Sequence, residues 1–171
     1  MTEKSNEVLV LGVDPGTAVT GYGIVARGEG GAVALVECGV IRTSPDHLLA
    51  NRIREIYEAI VALIVRHQPF VMSVEDVFHG KNARSALKLG HARGAILLAA
   101  ALHEIAVAEY APRQIKKAVV GSGNATKDQV GFMVKQKLKL QEPPKPADAA
   151  DGVATALCHC MIGSFPGEIS L

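Results

Sequence analysis

Apolar and polar positions along the chain follow two different periods, and together they predict five strands and five helices. Short apolar or alternating runs bounded by turn residues predict strands at 8–13, 21–26, 32–41, 70–74 and 106–111. The glycine-rich turn at 28–31 indicates that the second and third strands form a hairpin. The first run is followed by Asp14, Pro15 and Gly16, which is typical of a buried strand that ends in a turn.

The helices are indicated by start signals and by apolar residues three or four positions apart. Ser44, Pro45 and Asp46 offer a helix start, and the apolar positions that follow are Leu49, Ile53, Ile56, Ile60 and Leu63. Further helices are predicted over 82–104, from Pro112 onward, after the capping box of Thr126 and Gln129, and over 147–162. Three strands followed by alternating strands and helices predict a mixed five-stranded α/β sheet with helices on both faces.

Length and composition narrow the class of protein. A chain of 171 residues suits one domain, which we expect over 8–163 with short tails at 1–7 and 164–171. An apolar content of 49% with 20% charged residues excludes a disordered chain. The longest apolar run, 95–102, is far shorter than the ~20 residues that cross a bilayer, and we expect no signal peptide. The three cysteines have no scaffold spacing, which indicates reduced thiols and a cytoplasmic protein.

The basic residues are unevenly distributed, although the formal net charge is only +1. The segment 77–103 carries four Lys or Arg and no acidic residue, and the segment 113–139 carries seven against Asp128 alone. The rest of the chain is therefore acidic. A basic face of this kind favours a phosphate-bearing partner over an ordinary solvated surface.

Four acidic residues occupy positions for which a purely structural role is an incomplete explanation. Asp14 and Glu75 end predicted strands, and sites in α/β sheets gather at the carboxyl ends of strands. Asp148 and Asp151 share one face of the first turn of the last predicted helix. A turn role for Asp14 and a capping role for the two helical residues stay open, whereas a charge at the buried end of the Glu75 strand needs a partner.

If the last helix places its first turn at those strand ends, the four carboxylates converge. Their repulsion would then be relieved by hard divalent cations, and Mg²⁺ or Mn²⁺ suits carboxylate and phosphate oxygens. Two such ions would act on both sides of a displacement at phosphorus, and the basic segments would hold a phosphate backbone. The pattern therefore indicates a metal-dependent nuclease.

Four segments of the chain resemble the RuvC family of Holliday-junction resolvases: VLGVDPGTAVTGYGIV, SVEDVFHGKNARSALKLGHARG, APRQIKKAVVGSGNATKDQV and ADAADGVATAL. The resemblance implies a ribonuclease H-like fold and a homodimer that nicks four-way junction DNA symmetrically, leaving 5′-phosphate and 3′-hydroxyl ends. It implies Asp14, Glu75, Asp148 and Asp151 as catalytic metal ligands for two Mg²⁺ ions per subunit, which Mn²⁺ can replace. It also implies a role in recombination and repair beside the RuvA and RuvB branch-migration proteins.

The candidate DNA contacts are one aromatic and five basic residues: Phe78, Lys81, Arg84, Lys88, Lys116 and Lys127. Phe78 matches a family aromatic that stacks on junction bases, with a core position as its alternative. Lys116 and Lys127 match family lysines near the scissile phosphate. Arg84 and Lys88 lie on the helix that also supplies the family's dimer contact, so contact with DNA and simple solvation both stay open. Asp76 stands where one relative in the family has an amide, and we expect it to face away from the metal ligands.

Three other functions compete with junction resolution. YqgF-like RNA-processing nucleases share the strand end but lack the VFHGKNARSALKLG block. A catalytically silent junction-binding protein would use the four carboxylates only as caps. An actin-like ATPase needs two lobes, for which this chain is too short.

Overall fold

The structure is a computed structural model that describes residues 7–76 and 82–165. A single five-stranded sheet is formed by β1 (Val8–Asp14), β2 (Val19–Arg27), β3 (Val33–Arg42), β4 (Val71–Glu75) and β5 (Ala106–Tyr110). The helices are α1 (Leu49–His67), α2 (Ala83–Leu102), α3 (Pro112–Val120), α4 (Lys127–Lys137) and α5 (Ala147–Ile162). A short 3-10 turn, Glu29–Gly31, joins β2 to β3.

The sheet has the strand order β3-β2-β1-β4-β5. The first three strands pair antiparallel, whereas β4 lies parallel to β1 and β5 lies parallel to β4. The predicted mixed five-stranded α/β sheet is therefore confirmed, and β1, β4 and β5 end at the same edge. We call this edge, where Asp14, Glu75 and Tyr110 end their strands, the carboxyl edge.

Alternation along the strands separates two cores, one on each face of the sheet. Val10 and Val71 point into a core shared with α3, α4 and α5. Leu11 and Met72, their successors in the chain, point into a core shared with α1 and α2. Because side chains alternate along a strand, Asp14 and Glu75 share the α5 face.

Helix α5 is the most deeply buried helix that the structure describes, since every residue from Gly152 to Cys160 is buried. Its apolar surface extends around the whole helix, as expected of a helix enclosed on all sides. Glycines permit its close approach to the sheet: a Cβ at Gly12 would overlap the backbone of Gly152 and Ala156, and a Cβ at Gly21 would overlap the Asp148 carbonyl. The first turn of α5 is therefore pressed against the ends of β1 and β2.

Two predicted helix ends differ from the structure. The helix expected to start at Ser44, Pro45 and Asp46 begins only at Leu49, because the Ser44 hydroxyl accepts from the Asp46 amide and closes an isolated turn. The helix predicted over 82–104 spans Ala83–Leu102, with the Asn82 side chain accepting from the Arg84 amide as its N-cap.

The described parts of the two basic segments, α2 on one side and α3 with α4 on the other, lie on opposite faces of the sheet rather than on one face. Helix α2 packs with α1, whereas α3 and α4 pack with α5. Both α2 and α3 nevertheless begin just after strands that end at the carboxyl edge. The basic residues at the starts of these helices therefore border one edge of the sheet. Within the described ranges, no helix has the length and apolar character required to cross a membrane.

Candidate active site

Asp14 and Glu75 come from neighbouring parallel strands at the carboxyl edge. Val13 pairs with Val74 in the ladder, so the two acidic residues follow one position later on adjacent strands. Both side chains are half-buried. The sequence pattern places them at strand ends, and the parallel pairing of β1 with β4 places those ends side by side.

Asp148 and Asp151 approach from the first turns of α5, one i,i+3 step apart. Carboxylate oxygens of Asp14, Asp148 and Asp151 lie within 4.8 Å of one another, and we call these three residues the aspartate cluster. The structure thus brings together carboxylates that lie more than 130 positions apart in the sequence. Glu75 is not a member of this cluster, but it lines the same cleft as Asp14 and Asp151.

Burial and mutual repulsion disfavour the ionised form of the innermost carboxyl. Desolvation, followed by the charges of Glu75 and Asp151, raises the pKa of Asp14 to about 8. Burial, followed by the charge of Asp151, also raises the pKa of Glu75, against the opposing effect of Lys127 and Lys116. The site therefore holds more negative charge than its own protein cations offset.

Two lysines supply positive charge at the rim. The Lys127 ammonium, at the start of α4, donates a hydrogen bond of 2.8 Å to Oδ2 of Asp151, which raises the pKa of Lys127. Lys116, on α3, lines the same cleft and is half-buried. The family resemblance implied both lysines as DNA contacts, and the structure places both beside the aspartate cluster.

Three of the four carboxylates and both lysines line a cleft of about 160 Å³, which we call the catalytic cleft after the role expected of these residues. Its polar lining consists of Asp14, Glu75, Lys116, Lys127 and Asp151. Apolar residues from three helices complete the walls: Pro112, Ile115, Val130 and Ala154. Sequence reasoning missed these apolar residues, because only the packing of α3 and α4 against α5 brings them to the cleft.

The donor set suits a divalent metal ion. Carboxylate oxygens are hard ligands of the kind that Mg²⁺ and Mn²⁺ prefer. Burial and, after it, the neighbouring carboxylates raise the pKa of Asp14, and a bound cation would favour its ionised form. The residues present therefore fit a divalent metal centre held by the aspartate cluster and Glu75.

The loop after β1 is held by residues that sequence reasoning did not single out. The Thr20 hydroxyl donates to the carbonyl of Gly16 at 2.8 Å, closing the turn that follows Asp14. Arg52 of α1 donates to the carbonyl of Thr17 at 2.9 Å and to the Thr43 hydroxyl at 2.9 Å. In the helical pattern of α1, Arg52 is an ordinary polar position, so the sequence gives no sign that it contacts this loop.

The remaining candidates lie outside this cleft or outside the described residues. Phe78 and Lys81 fall outside the described ranges. Arg84 and Lys88 are exposed on the first turns of α2. Arg93 forms ion pairs with Asp76 at 3.5 Å and with Glu109 at 2.6 Å. Asp76 thus contacts Arg93 and is not a member of the aspartate cluster.

Comparison with known protein families gives one consistent assignment. A family model for the crossover junction endodeoxyribonuclease RuvC matches residues 10–159. A RuvC of Desulforamulus reducens is 48% identical over 163 residues, covering 95% of this chain and 99% of that protein. A RuvC of Pelotomaculum thermopropionicum is 51% identical over 152 residues, covering 89% of this chain and 92% of that protein.

Solved structures agree with the sequence comparisons. The T. thermophilus RuvC in complex with a Holliday junction substrate superposes with a TM-score of 0.85 at 35% identity, covering 90% of this chain and 93% of that chain. The yeast mitochondrial Holliday junction resolvase Ydc2 has a TM-score of 0.65 at 14% identity, covers 89% of this chain and 78% of that chain, and shares the fold alone. The predicted ribonuclease H-like fold is thereby confirmed.

Proposed function

The chain belongs to the RuvC family of crossover junction endodeoxyribonucleases, and we propose that it resolves Holliday junctions by paired, symmetric, metal-dependent nicks at the catalytic cleft. The observation that supports this proposal most directly is the convergence of the Asp14, Asp148 and Asp151 oxygens within 4.8 Å. The same cleft carries Glu75 and two lysines. This combination suits a phosphodiester, whose negative charge requires cations on the reacting side and on the flanking backbone.

Asp14, Glu75, Asp148 and Asp151 are the residues that would hold two Mg²⁺ ions, or Mn²⁺ in their place. When bound, such ions polarise the phosphodiester, lower the pKa of an attacking water and stabilise the leaving oxygen. Glu75 and Asp14 come from the rigid sheet, whereas the other two carboxylates come from the enclosed helix α5. Ligands on such elements keep their positions, which favours a preorganised site.

Lys116 and Lys127 would bind the phosphate backbone at the mouth of the cleft. Lys127 is 70% exposed while its ammonium contacts Asp151, so it can exchange this carboxylate for a DNA phosphate with little rearrangement. Each lysine contributes a phosphate contact that releases counterions and makes binding salt-dependent. Phe78, which matches a family aromatic, is a further proposed DNA contact. Lys81, Arg84 and Lys88 are proposed as DNA contacts because they belong to the acid-free basic segment 77–103.

Two symmetric nicks require two active sites, so we propose a homodimer formed through α2. This helix exposes 52% of Leu98 and 63% of Leu102, beside a groove of about 430 Å³ between α1 and α2. Exposed apolar surface of this kind on a helix is typical of a protein interface. The groove also includes Gly94 and Tyr57, a small residue and an aromatic residue that suit close packing.

The wider roles follow from the family resemblance and are proposals for this chain. They comprise action in recombination and DNA repair in the cytoplasm, products with 5′-phosphate and 3′-hydroxyl ends, and cooperation with the RuvA and RuvB branch-migration proteins. Ligation of the two product strands by a DNA ligase without further processing would test the proposed ends.

A labelled four-way junction tests the central proposal. We expect the chain to cut it into two nicked duplexes in the presence of Mg²⁺ or Mn²⁺ and to leave a linear duplex of the same sequence intact. Binding to the junction without any cleavage in either metal would contradict the proposal and favour the silent junction-binding protein. Cleavage of single-stranded RNA in preference to the junction would favour an RNA-processing nuclease of the same fold.

A further inference from the structure

A second, larger concavity adjoins the catalytic cleft, and most of its lining has no part in the function proposed above. It has a volume of about 440 Å³ and lies between α4, the start of α5 and the connector that joins them. Its apolar lining is Gly131, Phe132, Pro143, Pro144, Ala147 and Ala150. We call this concavity the α4–α5 groove.

The groove is continuous with the catalytic cleft, because both are lined by Lys127 and Asp151. Whatever occupies the groove therefore lies directly beside the reacting phosphate. Along α4, Lys127 and Lys135 stand eight residues apart on one face, which corresponds to about 12 Å of helix. That length corresponds to at most about three nucleotide steps, because a stacked strand rises 3.4 Å per nucleotide and an unstacked strand spans more.

Phe132 lies on the mainly polar helix α4 with 55% of its surface exposed. Such exposure is unusual for a large aromatic side chain, which is more often buried. Phe132 also lines a neighbouring concavity with Val120 and Met133, so its ring separates the two concavities. The ring contributes little to the core in this position. An exposed aromatic ring flanked by cations is the combination that binds a nucleobase by stacking.

The rim chemistry favours nucleic acid over an acidic or apolar partner. Lys127, Lys135 and Lys145 line the groove, and Asp128 and Asp151 are its acidic residues. Asp151 already receives the Lys127 ammonium. The lysines suit a phosphate backbone, whereas the proline and phenylalanine surfaces suit the flat face of a base or the edge of a sugar.

We propose that the α4–α5 groove binds an unpaired nucleotide of the cleaved strand, within about three steps of the scissile phosphate, with its base stacked on Phe132. The proposal rests on the proposed junction cleavage, because it takes the scissile phosphate to lie in the catalytic cleft. A base inside a duplex has both faces covered by its neighbours, so only a base released at the junction centre can stack on the ring. Phe132 thereby selects junctions whose strands open at the cleavage point.

The test uses junctions in which 2-aminopurine replaces one base at a time within three positions of the cut, after wild-type cleavage has located the cut. Binding is measured by fluorescence with Asp14→Asn protein, which is expected to bind without cutting. We expect one position to change its emission when the protein binds. Adding Phe132→Ala should abolish that change and weaken junction affinity about tenfold, while Phe132→Tyr should retain both.

Val65→Ala is the matched control, because Val65 is 61% exposed on α1, on the other face of the sheet. It should leave emission and affinity unchanged, and thermal melting should show that every variant is folded. Unchanged emission and affinity in Phe132→Ala would overturn the proposal, even if the wild-type chain cleaves normally. A lower sedimentation mass in Phe132→Ala would also overturn it, because the groove would then be an interface between copies. Failure of the wild-type chain to cut any junction would instead contradict the proposed function.

Discussion

The Nζ atom of Lys127 lies 2.8 Å from Oδ2 of Asp151, so a cation from α4 already neutralises one member of the aspartate cluster. The pair joins a side chain that is 70% exposed to one that is only 18% exposed. Its contribution to folding is small, because an exposed lysine is well solvated without a partner. We propose that its importance lies in function, since it places an exposed positive charge where the DNA backbone and the metal ions would meet.

Lys127→Ala and Lys116→Ala should weaken junction binding and reduce its salt dependence. Each change removes about one phosphate contact, so the slope of log affinity against log salt should fall by about one. Junction affinity measured by gel shift at several salt concentrations checks this. The free energy of unfolding should change by less than about 1 kcal/mol in Lys127→Ala.

Lys117→Ala is the matched control for Lys116→Ala. Lys117 is the next residue on α3, is exposed, and is not among the residues that line the catalytic cleft. Equal losses of affinity in the two variants would show that the lysines act through net charge alone, and would remove Lys116 from the site.

Asp14→Asn should abolish cleavage, keep junction binding, and stabilise the protein in the absence of divalent metal. The pKa of Asp14 is about 8 in the folded chain against an ordinary value of 3.8, so folding favours the protonated carboxyl. The contribution of Asp14 to stability is therefore complete below about pH 4, the ordinary pKa of the group, and is lost as the pH rises towards 8. The uncharged amide avoids this loss, so denaturant unfolding should show a gain on the order of 2–4 kcal/mol at pH 7 and less at pH 5.

Adding Mg²⁺ should reverse this difference, because a bound cation stabilises the wild-type cluster and has weaker ligands in Asp14→Asn. Asp46→Asn, at an exposed carboxylate that does not line the cleft, should alter neither cleavage nor the response to Mg²⁺. Normal cleavage by Asp14→Asn would remove Asp14 from the catalytic role, whatever its effect on stability.

The parts of the site that could be predicted from the sequence are those with a local signal. Asp14 and Glu75 end apolar strands, and Asp148 and Asp151 share a helix face, so short-range periodicity marks all four as candidates. It left a turn role for Asp14 and a capping role for the two helical residues open, and the family resemblance implied the set as metal ligands. The contact between Asp14 and α5 depends on packing between distant parts of the chain. From the sequence, this contact could be stated only as a condition for the convergence of the four carboxylates. The strand order and the buried position of α5 show that the contact is present.

Contacts without a local signal escaped sequence reasoning. Arg52 supports the turn after Asp14 through the Thr17 carbonyl, but on α1 it has the appearance of an ordinary solvated arginine. The start signal at Ser44 was wrong, because the same side chain that caps a helix also closes a turn. The basic segments were expected on one face, whereas the sheet topology places them on two.

Gly12→Ala should destabilise the fold and reduce cleavage together. The added Cβ would overlap the backbone of Gly152 and Ala156, which cannot move without shifting α5. Such overpacking costs about 1–3 kcal/mol or more, and it moves Asp148 and Asp151 away from Asp14. Thermal melting and junction cleavage below the melting temperature check the two effects.

Gly28→Ala serves as its control, because a Cβ there meets no atom closer than 3.9 Å and the backbone has a φ of −94°. It should leave both measurements close to wild type. If Gly12→Ala keeps full stability and full activity, the close contact between β1 and α5 does not position the carboxylates.

Leu98→Asp should convert the proposed dimer into a monomer and prevent paired nicking. Leu98 lines the groove between α1 and α2 and is 52% exposed in the single chain. If a second copy covers this groove, an aspartate at position 98 would be buried without a partner, which disfavours the dimer. Sedimentation should show half the wild-type mass. Each monomer keeps its own aspartate cluster, so any remaining activity should yield singly nicked junctions instead of two resolved duplexes.

Val65→Asp separates this effect from a general intolerance of surface charge. Val65 is 61% exposed on α1, comparable to Leu98, but it is not among the residues that line the groove. It should stay dimeric and resolve junctions at the wild-type rate. A dimeric Leu98→Asp protein would place the interface elsewhere on the chain, whereas a monomeric one that still makes paired nicks would contradict the need for two linked active sites.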